Sequence, residues 1–116
     1  MTRSLLSEEL IKYKGLQVAP AELEALLISH PKILDAAVIG VDIAEGTEGP
    51  RAYVVVDSKS GMDEAKIKQF VKENVAGHKQ LRGGVVFVEA IPKSPSGKIL
   101  RKDLREAARR EGKAKL

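Results

Sequence analysis

The feature that most restricts what this chain can fold into is a pair of β-rich runs, Ile33 to Val41 (ILDAAVIGV) and Ala52 to Val56 (AYVVV). Both are short and rich in β-branched residues, and the DIAEGTEGPR stretch between them carries two Gly and a Pro, so they read as paired strands joined by a loop. A third apolar run, Val85 to Val88 (VVFV), follows the Gly83-Gly84 pair, which reads as a strand-entry bend. It shows no polar face, which predicts a central strand.

Helical spacing appears in three places. Pro20 suits a first helical turn, Glu22 and Glu24 favour its positive end, and Leu23, Leu26 and Leu27 form an apolar stripe before Pro31, giving a helix over about residues 20 to 29. Ile67, Phe70, Val71 and Val75 define a second amphipathic helix over Asp63 to Val75, with Gly77 just past its end. Leu100, Leu104, Ala107 and Ala108 line one side of a third, Leu100 to Arg110, with Arg101, Lys102, Arg105, Arg109 and Arg110 elsewhere and Gly112 freeing the tail. Ahead of all of these, Leu10 to Val18 (LIKYKGLQV) reads as a small hairpin turning near Lys14 and Gly15, with Lys12 and Lys14 on one strand face. The expected class is therefore α+β: a small sheet of about three strands plus an N-terminal β-hairpin, flanked by amphipathic helices.

With 116 residues there is room for one domain and one active surface. The chain has no Cys and two His, which leaves little for a thiolate or His-based metal centre, and no metal-ligating residue is assigned. His30 and His78 read as helix-end or surface residues. No apolar run approaches the roughly 18 residues of a membrane span. The net charge of +4 is localised: from Lys93 onward there are nine Lys or Arg against three Asp or Glu, whereas residues 1 to 92 carry eleven against thirteen. Such a basic end suits nucleic acid, an anionic membrane or a phosphate-bearing small molecule. Two Tyr, two Phe and no Trp supply too few stacking platforms for single-strand recognition, so no nucleic-acid partner is expected. There is no dinucleotide or P-loop glycine pattern, hence no self-contained nucleotide site.

Two loops could carry chemistry. In PKSPSGKILR (residues 92 to 101), Gly97 removes bulk beside Lys98, whose point charge suits a phosphate or carboxylate oxygen; the same pattern fits a solvated turn. In the hairpin, Lys12, Tyr13, Lys14, Gly15 and Gln17 gather polar groups just before a helix N-terminus, which suits phosphate, although a solvated surface hairpin has the same sequence.

Taken in order, IKYKGLQVAPAELEALL (11 to 27) and PKSPSGKILRKDLR (92 to 105) resemble the small C-terminal domain of the acyl-adenylate-forming enzymes. This superfamily comprises acyl- and aryl-CoA ligases, firefly luciferases and peptide-synthetase adenylation domains. The stretch LRGGVVFVEAIPKSPSGKILR is most similar to 4-coumarate-CoA ligases and luciferase-like relatives. The resemblance implies that residues 10 to 111 form a catalytic lid for a large N-terminal domain that binds ATP and a carboxylic acid. It implies that Lys98 serves adenylation by bridging the acid carboxylate and the α-phosphate. Lys12 and Gln17 would then serve thioester formation with CoA after the lid reorients. Tyr13 and Lys14 would shape the turn or meet CoA phosphates, while Gly15 and Gly97 would leave space for the ligands. ATP or AMP and CoA would be shared with the large domain, and Mg would come with ATP without ligands from the lid. Alone, the chain should not complete catalysis. Alternatives are a luciferase-like monooxygenase lid and a non-catalytic basic binding module.

Residues 1 to 9 read as the remnant of a hinge or an appended tail, since relatives carry Arg-x-Lys or Arg-x-x-Asp there and this chain has Glu8 where many ligases place Lys. Residues 112 to 116 read as a flexible tail, and Ala114-Lys115-Leu116 resembles the small-basic-Leu address read by the peroxisomal import receptor. The expected location is the peroxisome, otherwise the cytoplasm.

Overall fold

The computed structural model describes residues 10–114, so Glu8 and the proposed hinge, as well as Lys115 and Leu116, lie outside the described residues. The described residues open with a hairpin, β1 (Ile11–Tyr13) and β2 (Leu16–Val18), followed by α1 (Pro20–Ile28). The long strands β3 (Ile33–Ala44) and β4 (Thr47–Val56) come next, then α2 (Glu64–Asn74), a single 3-10 turn at Gly77–Lys79, β5 (Val85–Phe87) and α3 (Arg101–Ala114). This is the α+β arrangement expected from the periodicities. The helices start where their chemistry allows: Pro20 occupies the first turn of α1, and the Asp63 carboxylate accepts from the Lys66 N–H at 2.8 Å to cap α2.

Three expectations are corrected. The stretch 42 to 51 is mostly strand, because β3 and β4 continue their antiparallel ladder as far as Ala44 and Thr47, leaving a tight connection at Glu45 and Gly46. Its Gly49 and Pro50 are turn signals in sequence, yet they sit in register opposite Val41 and Gly40. The β5 strand lies at the sheet edge, parallel to β4 in the order β3-β4-β5, not at its centre. The apolar run divides instead: Val85 packs with the core shared by α1 and α2, Val86 and Val88 pack with the core under α3, and Phe87 stays exposed. Gly83 does mark a close approach, since a Cβ there would fall 2.6 Å from Val41 Cγ2 and 3.0 Å from the Gly49 and Pro50 carbonyl oxygens. Finally, Gly112 does not release the chain, as α3 continues to Ala114.

The three-stranded sheet separates two cores. On one face, Ala36, Val38, Ala52 and Val54 pack against Leu23 and Leu27 of α1, Ile67 and Val71 of α2, and Ile11 and Val18 of the hairpin. On the other, Ala37, Ile39 and Tyr53 pack against Leu104 of α3 and Ile91, with Ile99 of the following loop beside them. Alternation along β3 produces this division, because neighbouring residues of a strand point to opposite faces. The hairpin therefore belongs to one layer and the Lys98 loop to the other.

Candidate functional site

The hairpin turns through two residues. Lys14 and Gly15 have φ of 48 and 83, the positive values that a two-residue type I′ connection requires at both positions. Lys14 thus sits in the turn and not on the strand face with Lys12, correcting the sequence expectation. Its ammonium lies 5.4 Å from the Tyr13 ring, and the Arg82 guanidinium covers the same ring at 4.5 Å while donating to the Gly77 carbonyl at 2.7 Å. A Cβ on Gly15 would meet nothing within 4 Å, so open space borders the turn.

Register brings Lys12 and Gln17 together: they are direct cross-strand partners, both exposed. The Tyr13 and Leu16 pair closes the turn, which makes Lys12 and Gln17 a pair whose N–H groups point away from each other. The outward Lys12 N–H donates to Glu48 Oε1 at 3.1 Å, a contact across 36 residues that ties the hairpin to β4.

Lys98 is presented by a second, tighter device. Lys93 and Ile99 form an isolated antiparallel bridge around the Ser94-Pro95-Ser96-Gly97 turn. The Ser94 N–H donates to the Lys98 carbonyl and the Gly97 N–H to the Ser94 carbonyl, both at 2.8 Å. Gly97 has φ of 90, and the Ser94 and Ser96 hydroxyls are 2.9 Å apart. The loop is fastened on one side by the Lys93–Asp35 ion pair at 2.7 Å, and on the other it runs into α3 at Arg101. Asp35 pairs with Val55 near one end of the β3-β4 ladder and Glu48 pairs with Asp42 near the other. Seven residues of β3 separate these anchor points, roughly 23 Å at the rise of a strand. Among the described residues neither Lys12 nor Lys98 has a hydrogen bond or ion pair through its ammonium.

Sequence reasoning missed the groups that hold these loops. Glu24 was expected to favour the helix N-terminus; instead it is 6% exposed, its Oε2 accepts from Val38 N–H at 2.8 Å and from Arg101 Nε at 3.1 Å, and its Oε1 accepts from Arg101 Nη2. Its signal was its place between Leu23 and Leu27 on the apolar side of α1. Arg101, one of the basic residues off the apolar side of α3 in the sequence, differs from an exposed cation in that its side chain is 15% exposed and paired with Glu24. Glu22 at the helix start pairs with Lys79 at 2.8 Å. His30 sits at the end of α1 edge-on to Phe70, as a helix-end residue. The shallow groove along α2, lined by Ala65, Lys66, Gln69, Phe70 and Glu73, involves none of the candidate site residues read from sequence.

The profile of the AMP-binding enzyme C-terminal domain matches residues 22–98. The chain belongs to that family. This AMP-binding C-terminal domain is 59% identical over 97 residues to the peroxisomal OPC-8:0-CoA ligase 1 of Arabidopsis thaliana, covering 84% of this chain and 18% of that protein. It is 56% identical over 98 residues to 4-coumarate--CoA ligase 2 of Nicotiana tabacum, again covering 84% and 18%. Among solved structures, ATP-bound MatB from Rhodopseudomonas palustris superposes with a TM-score of 0.80 at 32% identity, covering 87% of this chain and 20% of that one. The domain thus spans about a fifth of the length of the proteins it matches.

Proposed function

We propose that this chain is the catalytic lid of an ATP-dependent acyl- or aryl-CoA ligase acting with a large N-terminal adenylation domain. The observation that carries the reading is the pair of exposed lysines, Lys12 and Lys98, whose ammonium groups have no partner among the described residues and whose loops pack against opposite faces of the three-stranded sheet. In the first half-reaction the acid carboxylate attacks the α-phosphorus of ATP, forming acyl-AMP as pyrophosphate leaves. Lys98 steadies the negative charge shared by carboxylate and α-phosphate. In the second, the CoA thiol attacks the acyl carbon, forming the thioester and releasing AMP, with Lys12 and Gln17 at the adenylate. Gly15 leaves room for the pantetheine arm, Tyr13 and Lys14 face the CoA phosphates, and Gly97 lets Lys98 enter a crowded site. ATP and CoA are shared with the large domain, and Mg comes with ATP without ligands from the lid.

Reorientation of the lid between the two steps is the function that two separate cation-bearing loops serve. The CoA-ligase names of the plant relatives support the reading over a luciferase or a stand-alone basic module. The peroxisomal name of the Arabidopsis relative supports reading Ala114-Lys115-Leu116 as the ligand of an import receptor.

The test adds this chain in trans to the large domain of a related CoA ligase and follows pyrophosphate release and thioester formation separately. Lys98→Ala is expected to lower pyrophosphate release by about 10² to 10³, the typical worth of one preorganised donor, while sparing thioester formation from supplied acyl-AMP. Lys12→Ala is expected to do the reverse. Equal loss of both half-reactions in each variant overturns the division of labour.

A further inference from the structure

Glu24 and Arg101 meet around the free edge of the sheet. Glu24 lies on α1, in the layer of the hairpin, and Arg101 opens α3, in the layer of the Lys98 loop. Between them runs β3, an edge strand by the order β3-β4-β5, whose Val38 N–H is taken by the Glu24 carboxylate. Both side chains are largely buried, at 8% and 15% exposure, and the guanidinium uses two nitrogens on two carboxylate oxygens. Such a fork fixes direction as well as distance, which a single contact does not. The Lys68–Glu64, Lys79–Glu22 and Lys93–Asp35 pairs are all more exposed.

Its place relative to Lys98 gives the pair a purpose. Arg101 follows Lys98 by three residues, and Ile99 between them is packed into the second core. The Leu100 N–H donates to the Pro92 carbonyl at 2.9 Å, so the segment from Lys98 to Arg101 is held along its length. With the Lys93–Asp35 pair fastening the opposite strand of the loop, Glu24 fixes the point at which Lys98 leaves the sheet edge. The hairpin has its own tie, Glu48 to the Lys12 N–H, and does not use Arg101.

We propose that the Glu24–Arg101 pair is a positioning element for Lys98 and not for Lys12, resting on the assignment of Lys98 to adenylation. Glu24→Gln is expected to lower pyrophosphate release about 10- to 100-fold in the trans assay, the cost of a small misplacement at a reacting centre. Thioester formation from supplied acyl-AMP should stay within about twofold of wild type, since the charge that serves it is held elsewhere.

Removing one buried partner strips the other of its charge compensation and can unfold the chain. The double variant Glu24→Gln with Arg101→Met avoids this, because Gln still accepts from Val38 N–H and Met fills space without a charge. If the pair only stabilises, this variant regains both half-reactions together with its unfolding midpoint; if it positions Lys98, adenylation stays low in a stable protein. Arg101→Lys should restore part of the adenylation rate.

Hydrogen exchange on the 116-residue chain alone gives a readout that needs no activity. In the double variant the Ser94 and Gly97 amides should lose protection while those of β1 and β2 keep theirs. Uniform change across the chain, no change, or equal loss of both half-reactions overturns the proposal. If the wild-type chain restores no activity in trans, the functional reading fails, and the exchange pattern alone decides whether Glu24 and Arg101 order the Lys98 loop.

Discussion

Lys14 adopts a φ of 48, the left-handed region in which a side chain with a Cβ pays a steric cost that glycine does not. It keeps this place because the two-residue turn brings Tyr13 and Leu16 into register and so sets Lys12 opposite Gln17. Asn tolerates that conformation better than Lys. Lys14→Asn should therefore raise stability by roughly 0.5 kcal/mol after the weak cation–π contact with Tyr13 is lost, read as a higher urea midpoint at unchanged slope. A lower midpoint would show that the ring contact outweighs the backbone strain. At this scale the lysines and glycines of the two loops were legible, because Gly, Pro and charge mark exposed turns in any sequence. Glu24 and Glu48 were not, because an acid on a helix or in a polar stretch reads as solvated until a distant partner is in view.

At the scale of elements, α2 is tied to β5 by a carboxylate. Glu64 accepts from the Val85 N–H at 3.1 Å and lies 3.3 Å from Lys68 one helical turn on. The backbone hydrogen bond first, and Lys68 second, hold its carboxyl below the ordinary value of 4.5. A group whose folded value is lowered adds stability that is fully present above 4.5 and is lost as pH falls through the lowered value. Glu64→Gln keeps an acceptor for Val85 but removes the ionisation, so wild type and variant should differ most near neutral pH and converge in acid. A constant offset in denaturation midpoints from pH 7 to pH 3 would exclude the linkage. The position of β5 was lost at this same scale. Val85, Val86 and Val88 divide between the two cores while Phe87 is exposed, and a strand can reach both cores while sitting at the edge of a sheet with one neighbour.

For the whole molecule, the sheet carries a larger core on the side of the hairpin and a smaller one under α3: thirteen buried residues against five among the described residues. Leu27, with no exposed surface, belongs to the larger. Leu27→Ala should cost about 2 to 5 kcal/mol, a large part of the roughly 5 to 15 kcal/mol that holds a domain of this size together. Leu104→Ala, in the smaller core and slightly exposed, should cost less. Denaturant unfolding of both variants checks the order, and a larger loss at Leu104 would mean that α3 carries the fold. The sequence by itself determined the α+β class, the three helices, the paired strands, the hairpin turn and the two lysine-bearing loops, because each is written in local periodicity and turn chemistry. It also carried the family, through two motifs separated by most of the chain. Only the tertiary structure decided which layer each lysine occupies, that Lys12 faces Gln17 across a ladder, and that Glu24 reaches Arg101 across 77 residues. The reason is physical: strand order and layer assignment follow from which distant surfaces bury one another, and a buried charge is distinguished from a solvated one only by a partner that local sequence does not contain.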